Sequence, residues 1–85
     1  MEIAVEISLY PLDAQYIPPI QNFIDRLHRI PGLKIVTNSL STQIFGEYEE
    51  VMGALTRELH GTFASVEKAV FVMKVLGPLD PARPA

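Results

Sequence analysis

The chain has 85 residues, 48% of them hydrophobic and 20% charged, which leaves room for one small globular domain and excludes a second core. It has no cysteine, so disulfides, thiolate zinc sites, iron–sulfur clusters and cysteine nucleophiles are excluded together. The formal net charge of −3, with no cluster of Lys or Arg, argues against nucleic acid as a partner.

Residues 2–10 alternate strictly. Ile3, Val5, Ile7 and Leu9 face one way and Glu2, Ala4, Glu6, Ser8 and Tyr10 the other, the pattern of a half-buried strand. Pro11 stops it, and a turn through Asp13 leads to Tyr16-Ile17-Pro18-Pro19, where prolines suit a helix start because the first N–H groups have no intrahelical partner. Ile20, Phe23, Ile24, Leu27 and Ile30 then recur at spacings of three and four, and Pro31-Gly32 ends this first helix.

Leu33 to Leu40 reads as a second strand, turning through Asn38-Ser39-Leu40-Ser41 into a third, Ser41 to Phe45, which ends at Gly46. Glu47, Glu49 and Glu50 crowd the first turn of a second helix, where carboxylates favour the positive end of the dipole. The predicted apolar stripe of that helix is Tyr48, Met52, Leu55, Leu59 and Phe63. Gly53 inside it costs about 1 kcal/mol against alanine and predicts close approach of a neighbouring backbone. Residues 69–76, rich in β-branched side chains, make a fourth strand. The domain is thus expected to span 1–77, with proline-rich 78–85 as a flexible tail.

The order strand, helix, strand, strand, helix, strand predicts an α+β ferredoxin-like sandwich: a four-stranded antiparallel sheet with two helices on one face. Ile3, Val5, Ile7, Leu33, Ile35, Ile44, Phe71, Met73 and Val75 are expected to face the helices. The open face then carries Glu6, Ser8, Tyr10, Lys34, Val36, Asn38, Gln43, Phe45, Val70, Val72 and Lys74, and must meet water, a ligand or another subunit. A domain this small holds only roughly 0.05–0.15 kcal/mol of stability per residue, so burial shared with a second subunit is expected. The apolar runs are short, and the start has neither a basic region nor a cleavage site, which predicts a soluble cytoplasmic protein.

Glu6-Ile7-Ser8-Leu9-Tyr10-Pro11, Tyr16-Ile17-Pro18-Pro19-Ile20, Thr37-Asn38, Ser41-Thr42-Gln43-Ile44-Phe45-Gly46 and Ala69-Val70-Phe71-Val72-Met73-Lys74 together resemble the thiamine-binding, YkoF-like family, over residues 2 to about 76. The resemblance implies a ferredoxin-like fold, homo-oligomers (dimer or tetramer) built through the sheet, and non-catalytic binding of thiamine or its hydroxymethylpyrimidine part in the cytoplasm. It implies no cofactor beyond that ligand. Some relatives carry two such units in tandem, so two subunits of this chain would supply what a tandem chain has internally.

An aminopyrimidine presents an amine donor beside a ring-nitrogen acceptor, an edge that Gln or Asn reads with paired hydrogen bonds. Gln43 and Asn38 have such heads. Glu6 suits the amine or the thiazolium charge, Tyr10 and Phe45 suit stacking or a cation contact, and Ser8 and Thr42 offer hydroxyls. Each has a plainer role open to it: turn or subunit-interface hydrogen bonds for Asn38, Gln43, Ser8 and Thr42, a cross-strand pair with Lys74 for Glu6, edge-of-core packing for Tyr10 and Phe45.

His28 and His60, late in separate helices, make no metal pair. Two other functions compete. Acyl-phosphate hydrolysis on this fold needs a phosphate-cradling loop with an arginine after the first strand, but Pro11-Leu12-Asp13-Ala14-Gln15 has neither glycine nor arginine, so no enzyme is expected. A structural or regulatory oligomer with its open face buried and no small-molecule ligand is the other alternative.

Overall fold

Alternation of large apolar and polar residues sets the first element, β1 (Glu2–Pro11), and everything else packs on its apolar side. The computed structural model describes residues 1–79. After β1 come α1 (Ile17–His28), β2 (Lys34–Thr37), β3 (Thr42–Glu47), α2 (Tyr48–Ser65) and β4 (Ala69–Leu79). The strands form one antiparallel sheet in the order β2-β3-β1-β4, so the fold is the ferredoxin-like α+β sandwich.

Ile3, Val5, Ile7 and Leu9 of β1 meet Ile44 of β3, Phe23 and Leu27 of α1, and Val51 and Leu55 of α2 in a single core. Each such side chain contributes about 1.5–3 kcal/mol when fully buried. The register puts Val36, Gln43, Glu6 and Lys74 in one row across the sheet's other face, and Lys34, Phe45, Ala4 and Leu76 in the next. Helix-facing and open-face sets are therefore divided as the alternation requires. Met73 and Val75 do lie on the helix side, opposite Ile7 and Val5, but they are 41% and 50% exposed, because the helices cover the inner strands and leave the far half of β4 bare.

Several local expectations give way. β2 ends at Thr37 instead of Leu40, because the Asn38 side-chain oxygen accepts from the backbone N–H groups of Leu40 (2.8 Å) and Ser41 (3.1 Å) and bends the chain early. Glu47 ends β3 and caps α2 from outside its first turn, its carboxylate accepting from the N–H groups of Glu49 (2.8 Å) and Glu50 (3.2 Å).

The buried face of α2 is Val51, Ala54, Leu55 and Thr62, while Tyr48 and Phe63 are exposed. Met52, Leu55 and Leu59 do pack on the core as expected, and the buried face extends towards α1, which offers a polar partner. Arg26 makes an ion pair with Glu58 (2.9 Å) and donates to the Thr62 hydroxyl (2.6 Å), so two polar residues of α2 turn inward. Gly53 meets no backbone; a Cβ there would touch only the Arg57 guanidinium at 3.5 Å. Close approaches occur instead at Gly61, where a Cβ would collide with the Arg26 guanidinium, at Gly46, where Leu33 Cδ2 lies 2.7 Å from the Cβ position, and at Gly77, where Ile3 Cγ2 lies 2.6 Å from it. The turn after α1 needs Gly32, whose φ is +84°. β4 runs on to Leu79, and residues 80–85 of the expected tail lie outside the described residues.

Candidate ligand site on the sheet

Antiparallel pairing sets three of the candidate side chains' positions beside one another. Glu6 on β1 faces Gln43 on β3 and Lys74 on β4, so carboxylate, amide and ammonium stand in line across three strands. In the next row Ala4 separates Phe45 from Leu76. A methyl group between two large side chains leaves a depression of about 300 Å³, lined by Ala4, Glu6, Gln43, Phe45, Lys74 and Leu76 together with Val5. That volume is at the small end of sites for small molecules.

Glu6 is held from two sides. Its Oε2 accepts from the Ser41 hydroxyl at 3.1 Å, and its Oε1 lies 3.9 Å from Lys74 Nζ. A carboxylate has about four lone-pair directions, so these two contacts orient it and leave capacity for a ligand donor. Phe45 is half-buried, and Lys34 Nζ sits 5.7 Å from its ring centroid. The ring therefore already attracts one cation at its face.

The other four residues singled out by the sequence gather elsewhere. Ser8, Tyr10, Asn38 and Thr42 line a pocket of about 190 Å³ at the end of the sheet, between the β2–β3 turn and α1. Thr42 lies on the helix side, 5% exposed, with its hydroxyl 3.2 Å from that of Thr37. The Asn38 side-chain Oδ1 serves its own turn. The Ser8 hydroxyl reaches the Leu40 carbonyl at 3.5 Å, and Tyr10 is 54% exposed at the mouth. One expected site is thus two, which meet where Ser41 touches Glu6.

Sequence reasoning missed Ala4, Leu76 and Ile20 as lining residues. Ala4 had a visible signal, the smallest residue in a row of larger even-numbered ones. Lys74, read in the sequence as a possible partner of Glu6, does pair with it and lines the depression as well.

No protein-family model matches the chain, and no curated protein matches it. Solved structures do. Protein SP2199 from Streptococcus pneumoniae superposes with a TM-score of 0.86 at 20% identity, over 93% of this chain and 89% of that one. TM0486 from Thermotoga maritima, described as a candidate thiamine biosynthesis/salvage protein, gives 0.79 at 18% identity, over 88% and 82%. A domain of unknown function, DUF77, from Bacillus cereus gives 0.70 at 12% identity, over 92% and 77%. At such identities the likeness establishes the fold. Among the described residues no helix is long and apolar enough to cross a membrane.

Proposed function

We propose that the chain binds thiamine or its hydroxymethylpyrimidine part, without chemistry on it, on the open face of the sheet where two copies meet in the cytoplasm. The observation that carries this reading is the pairing of Glu6 with Gln43 beside the Ala4 depression and the Phe45 ring. The Gln43 amide offers a donor and an acceptor to the aminopyrimidine edge, Glu6 takes the amine or balances the thiazolium, and Phe45 with Leu76 walls the ring. The description of TM0486 as a candidate in thiamine biosynthesis or salvage points the same way.

A second copy is part of the proposal because Val70, Val72 and Leu76 are 44%, 53% and 52% exposed on that face. These same residues also suit an assembly that binds no small molecule. Calorimetry with thiamine and with hydroxymethylpyrimidine separates the two readings. Binding heat is expected for the wild type, and Gln43→Ala should weaken it by about 5- to 150-fold, the loss of two hydrogen bonds at roughly 0.5–1.5 kcal/mol each. A wild type that releases no heat with either compound refutes the carrier reading and leaves the structural one.

A further inference from the structure

The sheet-end pocket is bordered by main-chain groups of β1 that lie beyond the ladder with β3. Two backbone hydrogen bonds fix the direction of every amide in β1: Tyr48 N–H donates to the Met1 carbonyl (2.8 Å), and Leu12 N–H donates to the Lys68 carbonyl (3.0 Å). In an antiparallel ladder the N–H and C=O of one residue point to the same side and alternate along the strand. Odd-numbered residues of β1 therefore turn their amides to β3 and even-numbered ones to β4. The last pair between β1 and β3 is Ile7 with Thr42. The next odd residue is Leu9, and the residue that would face it in a continued ladder is Leu40. That residue belongs to the Asn38 turn and is 86% exposed.

The N–H and C=O of Leu9 thus aim past the end of β3 into the pocket, and among the described residues they have no main-chain partner. The Leu9 side chain is in the core while its main chain lines the pocket, so water or a ligand must satisfy these two groups there. Several polar side chains around the pocket are already engaged, the Asn38 Oδ1 with its turn, Thr37 and Thr42 with each other and Ser41 with the Glu6 carboxylate. The main chain of Leu9 stays open beside them, with the Tyr10 and Ser39 hydroxyls at the more exposed rim.

We infer that this pocket is a second, separate binding site, in which the Leu9 N–H and C=O read a neutral flat ring carrying a hydrogen-bond acceptor beside a donor. Neutrality follows from the lining, which contains no charged side chain, and from the first turn of α1, where Pro18 and Pro19 supply no N–H groups to an anion. Size follows from the volume: about 190 Å³ here, against about 150 Å³ for a cavity that holds benzene, admits one substituted six-membered ring. Ile20 and Phe23 of α1 provide its apolar wall. The site differs from the open-face depression in using backbone where that one uses Glu6, Gln43 and Lys74, and it stands whether or not that depression binds anything.

Amide-resolved NMR on the full chain tests it, with hydroxymethylpyrimidine, a neutral aminopyrimidine, as the probe. Without ligand, the Leu9 amide should exchange with solvent at least about tenfold faster than those of Val5 and Ile7, which the β3 ladder protects. With the pyrimidine, the Leu9 amide should shift and its exchange should slow towards theirs. The response should persist in Ala4→Leu, which fills the open-face depression, and be lost in Ile20→Phe, which fills the sheet-end pocket. Leu9 exchanging as slowly as Ile7 in the free wild type overturns the inference, since its amide would already be paired. Leu9 exchanging fast but unmoved by the pyrimidine overturns it as well, since water alone would occupy the pocket. Both outcomes are read on the wild type, so neither depends on a variant folding.

Discussion

Replacing Glu6 by glutamine keeps the shape of the open-face site and removes its negative charge. The structure bounds the effect on stability. The Glu6–Lys74 pair is 3.9 Å long, and its side chains are 44% and 83% exposed. Discounted for solvent, such a pair is worth about 0.5 kcal/mol or less. The Ser41 hydroxyl can donate to an amide oxygen as it does to the carboxylate. Since 1 kcal/mol moves the melting temperature of a domain this size by roughly 4–8 °C, Glu6→Gln should shift it by no more than about 2–4 °C.

Binding should respond far more, and differently for the two ligands. A thiazolium charge about 5 Å from the carboxylate interacts by about 1–3 kcal/mol at effective dielectric constants of roughly 80 to 20. Thiamine affinity should therefore fall about 5- to 150-fold, with a smaller loss in 1 M salt, where the screening length is about 3 Å. The neutral pyrimidine loses only the difference between a charged and an uncharged acceptor, about 0.5–1.5 kcal/mol, with little salt dependence. Calorimetry at low and high salt, with a thermal melt of each protein, reads all of these quantities. Equal losses for both ligands, or thiamine binding unchanged beside an unchanged melting temperature, would refute the placing of Glu6 near the cation.

Two glycines of α2 should respond in opposite directions. Gly53→Ala places its methyl in ordinary contact with Arg57 and should stabilise the protein by about 1 kcal/mol. Gly61→Ala makes the same gain in helix propensity but displaces Arg26 from Glu58 and Thr62, charged hydrogen bonds worth about 1.5–3 kcal/mol, so it should destabilise by about 0.5–2 kcal/mol. Thermal or urea unfolding checks both, and equal stabilisation by the two would show that Arg26 moves aside freely. Val72→Lys sets a charge in the exposed apolar row of β4 and should shift the protein towards monomer in sedimentation velocity with its melting behaviour as a subunit intact. A wild type already monomeric at working concentration refutes assembly through this face.

Much of the fold was legible because period two and period three-to-four patterns are set by burial, and burial dominates the energetics. The alternation from Ile3 to Leu9 assigned both faces of β1 from sequence alone, and the neighbouring strands followed. What was not legible depended on single polar contacts between distant residues. Nothing near Glu58 or Thr62 in the sequence announces that Arg26, some thirty residues earlier, turns them inward, so the predicted stripe of α2 was right at Met52, Leu55 and Leu59 but missed Thr62 and included the exposed Tyr48 and Phe63. The early end of β2 depends on whether Asn38 bonds its own turn or a partner, and both choices read alike in sequence. The candidate site fared similarly. The residue types were visible, but the split into two pockets arises because β3 starts at Thr42 while β1 continues to Pro11.

That mismatch in strand length links the two sites physically. Were β3 as long as β1, Leu9 would pair with residue 40, the sheet-end pocket would close, and Ser41 would lie in a strand instead of reaching Glu6 from the turn. The Asn38 turn therefore does two things at once: it leaves the Leu9 amide unpaired on one side and supplies the hydroxyl that holds the Glu6 carboxylate on the other. The odd-numbered residues of β1 hold the core while its even-numbered ones face outwards, so Glu6 or Ser8 can be substituted without touching Val5, Ile7 or Leu9. A period of two along one strand thus separates the side chains that keep the fold from those that face the candidate site.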